Sequence, residues 1–275
     1  MQLHLQVCRF TAYALTLLLL AEVTQVHAEF ACFNKLQKLF VFGDSYSRIS
    51  FNATGPQPSV SNPYGNNGST SANGPNWVNY ITGTYNESLI LTYDFALSGA
   101  VVNNSIVSSN TRPDLVNEFK VNFVGAYGNA SGLFNPERSI FAFWFGINDV
   151  NISYNSRGRD TYAEIMASYH ELVLQLYGIG ARNFLFLYVP PLQRAPVIAS
   201  GSNASTNIPL METAVREFNS RIYNMTQTLQ TELSDATVFL HDSYATFDKV
   251  IDNPGSSQET ALLRDTKNYC TSYAG

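Results

Sequence analysis

The sequence predicts an α/β fold in one domain, a parallel sheet with helices on both faces. Three observations carry that expectation. Short continuous apolar runs end on Gly, Pro or polar turn residues, stripes of apolar residues at three- and four-residue spacing lie between them, and no repeat or linker divides the chain after its leader. A strand covered on both faces needs unbroken apolar character, and a helix laid on a sheet needs one apolar stripe. Alternation of the two is the pattern of a sheet between helical layers.

Residues 1–28 stand apart and read as a secretory signal peptide. Arg9 gives a positive start, Phe10 to Ala21 form an apolar run through Leu17-Leu18-Leu19-Leu20, and Val26-His27-Ala28 resembles a small-residue cleavage site. The run is shorter than the roughly 20 residues a spanning helix needs, so no membrane anchor is expected. Residues 29–275 then form the single domain, expected to be secreted and extracellular.

The first strand is Leu39-Phe40-Val41-Phe42, ending at Gly43. Gly55 to Gly74 follows, rich in Gly, Pro, Asn and Ser, and predicts a long surface loop of a length that is often functional. Thr92 to Leu97 is a second strand ending at Ser98-Gly99, and Ser139 to Phe145 a third ending at Gly146. Tyr162, Ile165, Tyr169, Leu172 and Leu176 then mark a helix closed by Gly178 and Gly180. Asn183 to Val189, ending at Pro190-Pro191, is the fourth strand. A second helical stripe runs through Met211, Val215, Phe218, Ile222, Met225 and Leu229, and Thr237 to Leu240 is the last strand, ending at His241-Asp242. Both stripes are read as core positions rather than ligand surfaces.

Composition narrows the function. A net charge of −5, with 16 Lys and Arg that form no run, argues against nucleic acid or an anionic membrane as partner. A neutral, polar small molecule fits better. Eight sequons, at Asn52, Asn67, Asn86, Asn103, Asn129, Asn151, Asn203 and Asn224, suit a glycosylated surface. The mature chain keeps Cys32 and Cys270, which can pair with each other, or Cys270 can pair with a cysteine beyond residue 275, and their spacing resembles no metal site. No metal or cofactor is expected, and the chain is expected to be a monomer.

Reactive groups in parallel α/β sheets gather at the carboxyl ends of the strands. Gly43-Asp44-Ser45 ends the first strand, Ser98-Gly99 the second and Gly146-Ile147-Asn148-Asp149 the third. Taken singly, each has an ordinary structural explanation: a turn serine, a left-handed glycine, a helix-capping asparagine. Together they offer a hydroxyl nucleophile, Ser45, and three donors for an oxyanion: the backbone N–H of Ser45, the backbone N–H of Gly99 and the Asn148 amide.

These blocks resemble the GDSL, or SGNH, hydrolase family. Phe40-Val41-Phe42-Gly43-Asp44-Ser45-Tyr46-Ser47 is similar to its first block, Asp94-Phe95-Ala96-Leu97-Ser98-Gly99-Ala100 to its second and Phe145-Gly146-Ile147-Asn148-Asp149 to its third. Asn73-Gly74-Pro75-Asn76-Trp77-Val78 and Val238-Phe239-Leu240-His241-Asp242-Ser243-Tyr244 resemble further segments of it. The resemblance implies a three-layer α/β/α fold with a flavodoxin-like parallel sheet of about five strands. It also implies acyl transfer through Ser45 and a small ester or acetylated oligosaccharide as substrate, as in secreted fungal acetylesterases of hemicellulose. A lipase-like acylhydrolase and a non-catalytic carbohydrate-binding remnant are the alternatives. No G-x-S-x-G elbow of an ordinary α/β-hydrolase occurs.

One block is missing. The family's Asp-x-x-His, which supplies the general base, has no counterpart: Ala167 stands three residues before His170 and Val238 three before His241. His4 and His27 fall in the leader. The chain is therefore expected to be incomplete at its carboxyl end, with an open apolar edge on the sheet. His241, near the end of the last strand, is a weak substitute for the base. Loss of the base from a serine triad costs about 10⁶ in turnover and leaves about 10³–10⁴ over water.

Overall fold

Five parallel strands form one sheet in the computed structural model, which describes residues 30–268 apart from 108–111 and 131. Residues 1–28, read above as a leader, and Cys270 lie outside the described residues; Cys32 is exposed and forms no disulfide among them. The strands are β1 (Lys38–Gly43), β2 (Leu91–Asp94), β3 (Ser139–Trp144), β4 (Asn183–Leu187) and β5 (Thr237–His241), in the order β2-β1-β3-β4-β5. That order reverses at β1, so a crevice opens between the carboxyl ends of β1 and β3, the place where such sheets hold their ligands.

Alternate side chains point to opposite faces, and the register turns this into two aromatic rows. Phe40 is paired with Tyr93 and Phe141, and Phe141 with Phe184. Along the next row Phe95, Phe42, Phe143 and Phe186 lie with successive ring centroids 5.3 Å apart. Two helical segments cover this face. The first, α2, runs as α-helix over Leu115–Asn117, π-helix over Glu118–Val124 and α-helix over Gly125–Tyr127. Its Phe123 meets Phe40 and Phe42 edge-on. Tyr169, on α4 (Tyr162–Gly178), packs on Phe143 and Phe186.

The opposite face is aliphatic. Leu39, Val41, Ile140 and Ala142 pack against Val78 of α1 (Trp77–Gly83) and against Ile49. Further along that face, Leu185 and Phe239 are only half-buried, whereas Phe184 and Phe186 beside them are fully buried.

Both predicted helices are present, as α4 and α5 (Ala204–Glu232), and every stripe residue named for them is buried. The short helices α1 and α2 are not announced by a long periodic stripe. α3 (Ile147–Ser153) leads directly out of the β3 turn, and α6 (Ser243–Asp252) follows β5. β2 is shorter than its apolar run because the Asp94 carboxylate takes the Ala96 N–H and turns the chain. Phe95 and Leu97 nonetheless still donate to Val41 and Gly43 of β1. The loop at 55–74 is held by its own polar groups: the Asn66 amide accepts from Asn52 N–H and donates to the Asn52 and Pro56 carbonyls.

Candidate active site

Ser45 sits in the turn that leaves β1. Backbone N–H groups of Ser47 and Arg48 both donate to the Asp44 carbonyl, which folds the turn tightly and leaves Ser45 half-exposed. The turn is held from outside by the start of α1: its N-cap Asn76 donates Nδ2 to the carbonyls of Ser47 and Arg48, and Trp77 donates Nε1 to Ser47 Oγ. The Asn73–Val78 resemblance noted above thus has a structural use.

Asn148 joins the three strand ends. Its Nδ2 donates to the Ala100 carbonyl at 2.9 Å and to Asp44 Oδ2 at 3.3 Å. One partner follows Gly99 and the other precedes Ser45, so a single amide ties together the chain neighbours of both. Gly99 has φ +82°, and among the described residues a Cβ there would meet only the Arg112 guanidinium, at 3.6 Å. Its glycine is required by the backbone conformation rather than by crowding. Among the described residues, the backbone N–H groups of Ser45 and Gly99 donate no hydrogen bond within the protein and remain available.

Behind these groups lies a set of buried carboxyls that the sequence reading did not single out. Asp44 accepts from Tyr46 N–H at 2.9 Å, Asp94 from Ile49 and Ala96 N–H, and Asp149 from Val102 N–H at 3.0 Å. Glu118 accepts from Gly43 and Leu97 N–H. Burial pushes Asp44, Asp94 and Asp149 up to about 7, against the pull of these backbone donors. Glu118 is driven well above the usual carboxylate range by burial, with Asp94 and Asp44 adding to the effect. Glu118 leaves no distinctive sequence signal: it stands in the mixed polar and apolar stretch Leu115-Val116-Asn117-Glu118-Phe119-Lys120, where one more charged residue is ordinary.

Among the described residues no general base is hydrogen-bonded to Ser45. The Ser45 hydroxyl has no hydrogen-bond partner among the described residues. His241 ends β5, three strands from β1, and at about 4.8 Å per strand that is about 14 Å away. Its Nε2 meets Thr246 Oγ1 of α6 at 3.3 Å. His170 faces Glu232 on the helical layer, 2.8 Å away.

A flavodoxin-ordered sheet with a serine turn, a left-handed glycine and an amide-bearing helix at its crevice is the architecture of an ester hydrolase. The chain belongs to the GDSL-like lipase/acylhydrolase family, whose model matches residues 39–266. It is 32% identical over 269 residues to an acetylesterase of Thermothelomyces thermophilus, covering 94% of this chain and 88% of that protein. A thermolabile hemolysin of Vibrio parahaemolyticus is 26% identical over 80% of this chain and 49% of its own length. Among solved structures, an acetylxylan esterase from Geobacillus stearothermophilus superposes with a TM-score of 0.49 at 15% identity, covering 78% of this chain and 80% of that one.

Proposed function

We propose that this protein is a secreted serine esterase that removes acetyl groups from hemicellulose-derived carbohydrate. Ser45 Oγ attacks the ester carbonyl, the oxyanion is held by the Ser45 and Gly99 N–H groups and Asn148 Nδ2, the carbohydrate leaves as its alcohol with the proton Ser45 gives up to solvent, and water then hydrolyses the acetyl-enzyme to acetate and free Ser45. The observation that carries the reading is the Asn148 amide bonded at once to the neighbours of Ser45 and of Gly99. The acetylesterase relative supports acetate as the acyl group.

The proton of Ser45 has no acceptor in reach among the described groups, so turnover by this chain is slow in this reading. The test compares the chain with Ser45→Ala on acetylated xylo-oligosaccharide and on 4-nitrophenyl acetate. Slow, Ser45-dependent acetate release is expected. Fast Ser45-dependent release would mean that a base acts on Ser45 from elsewhere; release indifferent to Ser45→Ala would remove Ser45 from the mechanism.

An aromatic rim favours a second reading. Tyr46, 37% exposed, lies 5.5 Å from the Trp144 ring and 6.5 Å from Phe247, an apolar surface next to the nucleophile that suits a longer acyl chain. A chain-length series of nitrophenyl esters separates the two. A rate that peaks at acetate supports the acetylesterase, and one that rises with length supports the lipase-like acylhydrolase.

A further inference from the structure

Glu118 has no place in the ester chemistry, yet it is fully buried and bonded to the chain at the ends of both β1 and β2. It stands where α2 passes from α- to π-helix. Such wide turns are uncommon and gather at functional sites. Its two carboxyl oxygens have different partners: Oε2 accepts from Gly43 N–H at 2.9 Å and Oε1 from Leu97 N–H at 3.2 Å. Gly43 is two residues before Ser45, and Leu97 is two residues before Gly99. The Leu97 N–H also reaches the Gly43 carbonyl at 2.9 Å, closing a ring of three bonds across the diverging ends of β1 and β2.

We infer that Glu118 is a positioning residue, whose carboxyl fixes the nucleophile turn and the Gly99 turn relative to each other. The inference rests on the Ser45 reading above. Stability alone is a poor explanation for an acid here. Its charged neighbours are the carboxyls of Asp44 and Asp94, and α2 otherwise sends Leu115, Phe119 and Phe123 into the core. A buried acid without a cationic partner is less favourable than an apolar side chain of similar size. What an apolar residue cannot do is accept two N–H groups from two strands. The spacing it sets lies between the attacking oxygen and one oxyanion donor, where a misplacement of about 1 Å can cost about 10²-fold in rate.

Glu118→Gln keeps the shape and leaves one acceptor oxygen, so one of the two N–H groups then faces an NH₂. The experiment measures Ser45-dependent turnover of 4-nitrophenyl acetate (the rate minus that of Ser45→Ala), the thermal midpoint and the backbone amide spectrum. The expected result is kcat lowered about 10- to 100-fold with KM within about twofold, displaced Ser45 and Gly99 amide resonances, and an unchanged or raised midpoint. Wild-type kcat in Glu118→Gln, or Ser45 and Gly99 amides that do not move, would overturn the inference. Turnover indifferent to Ser45→Ala would instead overturn the esterase reading, and the two amide resonances alone would then decide on Glu118. Should Glu118→Gln not fold, a pH titration of the unaltered protein replaces it. Among the described residues, Asp44 from the turn after β1, Asp94 from β2 and Tyr169 from α4 are the titratable groups facing Glu118. The Gly43 and Leu97 amides are expected to move together, at one midpoint above the ordinary carboxylate range. Separate midpoints, or no movement, would refute a shared Glu118 contact.

Discussion

Gly146→Ala is expected to destabilise the protein by about 4 kcal/mol, and the figure comes from two separable causes. Gly146 joins β3 to α3 with φ +110°, a conformation that costs an L-residue on the order of 1–3 kcal/mol. A Cβ at this position would also lie 2.5 Å from Val189 Cγ2 and 2.9 Å from Phe218 Cδ1, and nearer still to Phe218 Cε1. Both neighbours are fully buried, so neither can swing into solvent, and overpacking of this kind costs roughly 1–3 kcal/mol. Against a total stability of roughly 5–15 kcal/mol, the variant keeps about 1–11 kcal/mol. Urea denaturation followed by fluorescence of Trp77 and Trp144 measures the loss. The same substitution in a Phe218→Leu background, which removes the offending ring edge, is expected to cost at least about 1 kcal/mol less. A loss below about 1 kcal/mol, or full additivity of the two changes, would refute the steric reasoning.

Other expectations concern pH, the oxyanion donor and the sequons. Asp44, Asp94 and Asp149 titrate at about 7 in the folded chain and near 3.8 when unfolded. The native state therefore keeps protons that the unfolded chain releases, and stability falls as pH rises from about 4 to 7, by about 4 kcal/mol for a single such carboxyl. Asp235, paired with Tyr177 and Arg182, is lowered instead and favours folding only above the ordinary carboxylate range. Urea midpoints are thus expected to be higher at pH 5 than at pH 8, and a flat or rising profile would contradict the buried acids. Asn148→Ala is expected to lower Ser45-dependent kcat about 10²- to 10³-fold; a change under threefold would remove Asn148 from the oxyanion site. After expression through a eukaryotic secretory pathway, Asn52 is expected to carry glycan. It is exposed, and its Oδ1 accepts from Thr54 N–H and Oγ1, leaving Nδ2 free. Asn103, whose Nδ2 donates to Ser168 Oγ, is expected to remain bare. Glycosidase treatment in ¹⁸O-labelled water followed by peptide mass mapping checks this, and label at Asn103 with none at Asn52 would refute it.

The sequence by itself determined the sheet and its two long helices, because continuous apolar runs and four-residue stripes are local records of burial. Phe40 to Gly43 and Phe141 to Phe145 can be read as strands without any knowledge of their neighbours. It also named Ser45, Gly99 and Asn148, since each stands where a strand ends and the turn chemistry is written in adjacent residues. Only the tertiary structure decided the strand order, which sets the crevice at β1 and β3 and places His241 three strands from the nucleophile. It alone revealed Glu118, whose partners lie 75 and 21 residues away in the chain. A side chain that accepts hydrogen bonds from two distant backbones leaves no periodic trace, because its role depends on where the strands meet rather than on what flanks it.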